Sequence, residues 1–143
     1  MKVKIKKLNS NAVIPKYAKE GDAGLDLVAT EVIPHITESD LELVTVKSGL
    51  AVEIPKSYVG LLFPRSSIYK NNALLINSVG VIDSGYRGEI TANFMADVDN
   101  FGYKVGDKFA QLIIIPYPQI EFEEVKELSN TERGTGGFGH TGV

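Results

Sequence analysis

The sequence contains no cysteine and no tryptophan, and only two histidines, His35 and His140. Without cysteine there is no disulfide framework and no thiolate metal site. Two lone histidines do not make a histidine metal cluster. Long apolar runs are missing as well, and nothing approaches the ~20 residues that a membrane-spanning helix needs. The first ten residues, MKVKIKKLNS, alternate lysine with valine and isoleucine and hold no apolar stretch of the signal-peptide kind. An excess of positive charge is also absent. Fifteen Lys and Arg stand against 18 Asp and Glu, a net charge of −3, which argues against nucleic acid or a membrane surface as a general partner. The expectation is a soluble, cytoplasmic protein. Finally, no segment of ten or more residues repeats its apolar positions every 3.6 residues, so no long amphipathic helix is expected.

Short, strand-like apolar segments are present instead. Val3 and Ile5 alternate with lysines, Leu41 and Leu43 with Glu42 and Val44, and Ile90, Ala92 and Phe94 with Glu89, Thr91 and Asn93. Period two marks strands with one covered face. Residues 58–63 (YVGLLF), 73–77 (ALLIN) and 109–115 (FAQLIII) are denser, as expected for strands covered on both faces by the chain's own core or by another subunit. Gly, Pro, Asn and Asp punctuate the chain throughout. Residues 66–72 (SSIYKNN) suit one short helix with Ser66 or Ser67 as its N-cap. With 143 residues and no linker, the pattern predicts one all-β domain, a sandwich or barrel, over residues 1–129. A glycine-rich arm follows over residues 130–143.

The arm ends RGTGGFGHTGV. Five of its last ten residues are glycine, and Gly134, Gly136 and Gly139 spell G-x-G-x-x-G. That string binds a dinucleotide only when a strand leads in and a helix follows, and four residues after Gly139 give no helix. Ordering each residue costs about 1–2 kcal/mol, more for glycine. Ten such residues with one aromatic do not order themselves, so the arm is expected to settle only over a ligand. Arg133 and Phe138 are the side chains that suit a clamp.

Four interior stretches carry chemistry. In NSVGVIDSGYRGEI (77–90), Ser84 and Gly85 sit at the centre of a turn between two apolar runs, which reads as a β-hairpin with Asp83 and Tyr86 at its shoulders. Asp83 there suits either a general base for a water or an Asx bond that caps the turn. FPRSSIYK (63–70) gathers Arg65, Ser66, Ser67 and Lys70, groups that suit a phosphate or carboxylate, or simply a solvated cationic face. EGDAGLDLVAT (20–30) holds Asp22 and Asp26, turn residues or contacts to the waters of a Mg²⁺ that arrives with a phosphate ligand. Gln111 is a polar amide in an apolar strand, so it is either satisfied in the core or turned to a ligand.

Taken in order, AGLDL, PRSS, NSVGVIDSGYRGEI, GDKFAQLIIIP and RGTGGFGHTG resemble the five motifs of the homotrimeric dUTPase family, the dUTP diphosphatases. They run from residue 23 to 142. The resemblance implies a jelly-roll-like β-barrel, a threefold homotrimer whose active sites draw on all three chains, and Mg²⁺ held mainly by the substrate phosphates. The implied reaction is hydrolysis of dUTP to dUMP and pyrophosphate. It limits uracil in DNA and supplies dUMP for dTMP synthesis. Carried over by motif, Asp83 activates the attacking water. Tyr86 packs under the deoxyribose and excludes a 2′-hydroxyl. Asn77 with the backbone of Gly80, Val81 and Ile82 pairs with the uracil edge. Arg65, Ser66, Ser67 and Gln111 bind phosphate, and Asp26 meets the metal's water shell. Arg133 reaches the γ-phosphate, Phe138 stacks on uracil, and Gly136, Gly137 and Thr141 donate to phosphate oxygens.

Two positions depart from the motifs. His140 stands where many members have serine, and Ser67 where glycine is also frequent. His35 matches no motif and reads as a loop residue. Two alternatives share the scaffold. One is a dCTP deaminase-like enzyme, which needs a catalytic glutamate near the base. The other is a catalytically idle binding module.

Overall fold

The computed structural model describes residues 1–38 and 41–137. Its ten strands are β1 (Lys4–Lys7), β2 (Leu25–Val28), β3 (Glu31–Ile36), β4 (Glu42–Lys47), β5 (Leu50–Glu53), β6 (Tyr58–Pro64), β7 (Ala73–Leu75), β8 (Gly80–Ile82), β9 (Thr91–Ala96) and β10 (Lys108–Pro116). They form two four-stranded sheets, β2-β10-β6-β8 and β3-β4-β9-β7, and a small β1-β5 pair. Every pairing is antiparallel. This is the all-β architecture expected of the pattern, in the jelly-roll-like arrangement that the resemblance implies.

Period two decides which side chains go inside. Along β9, Ala92, Phe94 and Ala96 are buried while Thr91, Asn93 and Met95 face out. On β4, Val44 and Val46 point inward and lie opposite Phe94 and Ala92 in the register. Leu27, Leu62, Phe109 and Leu112 meet them from the other sheet. Each such side chain contributes about 1.5–3 kcal/mol by leaving water. Phe94, Phe101 and Tyr103 close one end, with ring centroids 5.6–5.8 Å apart in tilted and edge contacts. Burial pushes the Tyr103 phenol above its ordinary ionisation range, while the Arg65 charge and the Asn71 side chain pull it partly back. The hydroxyl itself is shut off from water in no bond of good geometry.

The dense segments lie largely in strands with one face buried and the other half-buried or exposed. Leu74 on β7 is exposed, Leu61 and Phe63 on β6 are half-buried, and Ile115 on β10 is 39% exposed.

Two local expectations are corrected. Residues 66–71 form the expected short helix, of the 3-10 kind, but Arg65, in extended conformation, occupies the N-cap position with no side-chain cap bond. Neither Ser66 nor Ser67 caps it. The 77–90 stretch is not a β-hairpin either. The turn at Ser84-Gly85 forms, with the Tyr86 N–H donating to the Asp83 carbonyl at 3.0 Å. Its flanks then separate: β8 pairs with β6 in one sheet, and β9 pairs with β4 and β7 in the other. The reason lies outside the stretch. The Ile90 N–H donates to the Leu50 carbonyl at 2.8 Å, and Ser48, through both its N–H and its hydroxyl, donates to the Ile90 carbonyl. These bonds carry the chain across to the second sheet. Asp83 thus stands on a crossover between the two sheets.

Candidate active site

β8 is the edge strand of its sheet, so one side of its backbone has no strand partner. Such an edge leaves N–H and C=O groups free to pair with something else. Gly80 and Ile82 face the core and Val81 faces out. A cleft of ≈ 200 Å³ opens against this edge, lined by Asn77, Gly80, Val81, Ile82, Asp83 and Tyr86, with Leu62, Glu89, Ile90 and Thr91 behind. The residues carried by the third motif therefore share one cavity.

Within it, Asp83 is exposed, and its carboxylate has no hydrogen bond or ion pair among the described residues. The Asx bond that would make it a mere turn cap is not formed; the turn is closed by its backbone bond and by the Arg87 guanidinium, which donates to the Ser84 carbonyl at 2.7 Å. Tyr86 is differently placed. Its hydroxyl donates to the Glu89 carbonyl at 2.9 Å. Its ring lies so close to Gly88 that any Cβ there would overlap it. Asn77 is exposed, and its carbonyl accepts the Val79 N–H at 2.6 Å, which tightens the entry to β8.

A second group is built on β2, β10 and the end of β6. Asp26, on β2, is half-buried. Its Oδ1 accepts from Arg65 Nε and its Oδ2 from Lys108 Nζ, both at 2.9 Å. Each oxygen keeps a lone pair for a water. The Arg65 guanidinium also donates to the Lys108 carbonyl at 3.4 Å. A planar fork held on two sides presents its remaining N–H groups in a fixed direction. Gln111 faces Asp26 in the β10–β2 register, and its Nε2 donates to the Pro64 carbonyl at 3.1 Å, just before Arg65. Its Oε1 lies against Gly24, where a Cβ would overlap it. Neither Ser66 nor Ser67 has its hydroxyl engaged among the described residues. No group of three metal-ligating side chains occurs among them.

The arm forms a third group. Beyond Tyr117, whose N–H donates to the Ser57 carbonyl at 3.0 Å, the hydrogen bonds among the described residues join only residues 131–136 to one another. Arg133 Nε donates to the Gly136 carbonyl at 3.0 Å, and Gly137 follows in open space. Phe138 and Thr141 lie outside the described residues, as does His140. No hydrogen bond or ion pair among the described residues joins the three groups in a single chain.

Sequence reasoning passed over two of these residues, Glu89 and Lys108. Glu89 lines the cleft, with Oε1 accepting the Gly49 N–H at 2.7 Å. Lys108 is the second cation on Asp26. Glu89 stands just before a strand and Lys108 opens one, positions where a charged residue by pattern looks like a solvated face. Only the pairing of distant segments reveals them.

A model of the dUTPase family matches residues 10–142. The chain is 41% identical to the deoxyuridine 5'-triphosphate nucleotidohydrolase of Crocosphaera subtropica over the full length of both. It is 42% identical to that of Clostridioides difficile over 98% of this chain and 97% of the relative. Among solved structures it resembles a mutant dUTPase of Staphylococcus bacteriophage 80alpha with dUpNHpp, at a TM-score of 0.83 and 29% identity, covering 99% of each chain. It also resembles a mutant dUTPase from phage phi11 of S. aureus, described for the coordination of a structural Mg(II) ion, at a TM-score of 0.74 and 27% identity, covering 89% of this chain and 98% of the other. The jelly-roll-like fold, the ordered motifs and these matches across the whole length agree: the chain belongs to the dUTPase family.

Proposed function

We propose that the protein hydrolyses dUTP to dUMP and pyrophosphate, with Asp83 activating the attacking water. The observation that carries this reading is the Asp83 carboxylate, unpaired and exposed at the mouth of the cleft, beside an edge strand with free backbone groups. Phosphoryl transfer asks for an in-line nucleophile and for neutralised charge, with little covalent help. Asp83 accepts a proton from water and directs the oxygen at phosphorus. The phosphoanhydride bond breaks, and pyrophosphate leaves with the electron pair.

The remaining residues bind and orient. The outer edge of Gly80, Val81 and Ile82, with the Asn77 amide, offers the donors and acceptors that a uracil edge needs. A rigid backbone rejects cytosine by mismatched hydrogen bonds. It also rejects thymine better than a soft pocket would, since a pocket that only lacks room for a methyl yields about 1–3 kcal/mol. Tyr86 lies under the sugar and leaves no room for a 2′-hydroxyl. Arg65, fixed by Asp26, faces the phosphates with Ser66, Ser67 and Gln111. Mg²⁺ bound to the nucleotide phosphates would supply neutralising charge there, and the free lone pairs of Asp26 would suit a water of its shell. Arg133, Gly136, Gly137, Phe138 and Thr141 close the site from the arm, taken as residues 130–143.

The same reading makes the working unit a cytoplasmic homotrimer. Three observations support it. The functional groups fall into separate clusters in one chain. The outer faces of the sheets carry Leu74, Val81 and Met95 uncovered. The segment after β10 displays Ile120, Phe122 and Leu128 to solvent. A neighbouring copy covers these surfaces and brings the clusters together.

The test is to incubate the protein with Mg²⁺ and each deoxynucleoside triphosphate in turn, measuring pyrophosphate and ammonia. Pyrophosphate from dUTP alone is expected. Ammonia from dCTP would establish the deaminase-like alternative, and no product from any nucleotide would establish a binding module.

A further inference from the structure

We propose that Glu89 is a positioning residue that sets the choice between deoxyribose and ribose by locking the ring of Tyr86. The inference rests on the reading of Tyr86 as the group beneath the sugar. What it adds is the device that keeps the ring in place.

A tyrosine on a turn at the surface ordinarily samples several rotamers. Here three contacts restrain it. Gly88 lies so close to the ring that even a methyl group would displace it. The phenol hydroxyl donates to the carbonyl of Glu89 at 2.9 Å. The acceptor is itself immobile, because the Glu89 carboxylate accepts the Gly49 N–H at 2.7 Å. Residue 90 is pinned to the same corner. The Ser48 hydroxyl, wholly buried, donates to the Ile90 carbonyl at 2.7 Å, and the Ile90 N–H donates to the Leu50 carbonyl at 2.8 Å. The corner is in turn held by the Leu8 N–H, which donates to the Gly49 carbonyl at 2.8 Å.

Of the bonds that hold the acceptor in place, only the Glu89–Gly49 contact depends on a side chain that lines the cleft. Steric exclusion of one hydroxyl works only if the excluding group cannot move aside. A ring free to swing by an ångström makes room for the 2′-oxygen. The carboxylate acts here as a hydrogen-bond acceptor, a role that an amide oxygen fills equally well, so negative charge is not required.

The experiment is the ratio of kcat/KM for dUTP over UTP in four variants. Glu89→Ala should lower the ratio about tenfold or more, through gain on UTP rather than loss of kcat on dUTP. Glu89→Gln should keep the wild-type ratio, because its Oε1 still accepts from Gly49. Glu89→Asp, one methylene short, should fall with Ala, and it decides the matter should the Ala variant fail to fold. Tyr86→Ala is the control for the underlying reading. A ratio unchanged in Tyr86→Ala refutes the sugar role of Tyr86 and this proposal with it. A ratio that collapses in Tyr86→Ala but stays at wild type in Glu89→Ala, or in Glu89→Asp, refutes the role of Glu89 alone. A ratio that falls in Glu89→Gln as far as in Glu89→Ala shows that the charge, not the bond to Gly49, is responsible, and likewise overturns it.

Discussion

The crossover around Asp83 and the segment after Tyr117 both carry residues assigned to the nucleotide, yet they are held in opposite ways. Residues 83–90 form a short excursion between two sheets, tied down by backbone bonds at the turn, by Tyr86 to Glu89, and by Glu89 and Ile90 to the Ser48–Leu50 corner. Among the described residues, the later segment hydrogen-bonds only to itself. It leaves Phe122 at 89% and Leu128 at 87% exposed, although both are large and apolar. Chemistry that depends on distance belongs on the first kind of backbone, where atoms stay within a few tenths of an ångström. Closure, which must come and go with each turnover, belongs on the second. The difference assigns rate to one region and sequestration to the other.

The most severe test removes the carboxylate from the braced region. Asp83→Asn is isosteric and disturbs no bond of the turn. Turnover of dUTP should fall on the order of a thousandfold while nucleotide affinity, measured by calorimetry, changes little. Near-normal turnover would mean that Asp83 is not the base. Next comes the loose region. Deleting residues 130–143 should cost on the order of a hundredfold in kcat, yet leave the cooperative melt where it was. A lowered melting temperature would show that the arm is part of the barrel's stability, and the contrast would dissolve.

Between the two lies the Asp26 cluster, preformed but partly open to solvent. Lys108→Met removes one cation from Asp26 and leaves the carboxylate that aligns Arg65 held on one oxygen only. KM for dUTP should rise roughly tenfold with kcat nearly unchanged, because a bidentate phosphate donor loses its alignment. An unchanged KM would mark Lys108 as a surface ion pair, of the kind worth little on its own.

The smallest effect belongs to the barrel interior. The buried Tyr103 phenol holds its proton to higher pH than the unfolded chain does. Stability is therefore intact below the ordinary tyrosine range and declines as pH rises from about 10 through the raised folded value. Tyr103→Phe should flatten this alkaline decline and shift stability at neutral pH by no more than about 1 kcal/mol. Denaturant melts at pH 8 and pH 11 would show it.

How far the sequence was readable follows from what each signal depends on. Ile90, Ala92 and Phe94 announced β9 because alternation is local and survives any tertiary setting. Ser84-Gly85 announced a turn equally well. Whether the strands flanking that turn pair with each other depends on partners forty residues away at Ser48 and Leu50, and no local pattern records that choice. The N-cap at Ser66 failed for a similar reason: the residue type suits a cap, but the extended Arg65 took the position when it turned toward Asp26. Gln111 was readable as a polar group that needed a partner, though not that the partner was the Pro64 carbonyl. Asp83 was readable by motif, and its freedom from any bond only in three dimensions. Glu89 and Lys108 gave no signal at all.

The contact between Gly24 and the Gln111 amide limits how this protein can drift. A side chain at position 24 would force the Gln111 amide to move, and a shorter residue at 111 alone gives up the bond to the Pro64 carbonyl. The two positions, 87 residues apart, form a lock that neither single substitution passes without loss. An evolving lineage would have to change both together, or keep both.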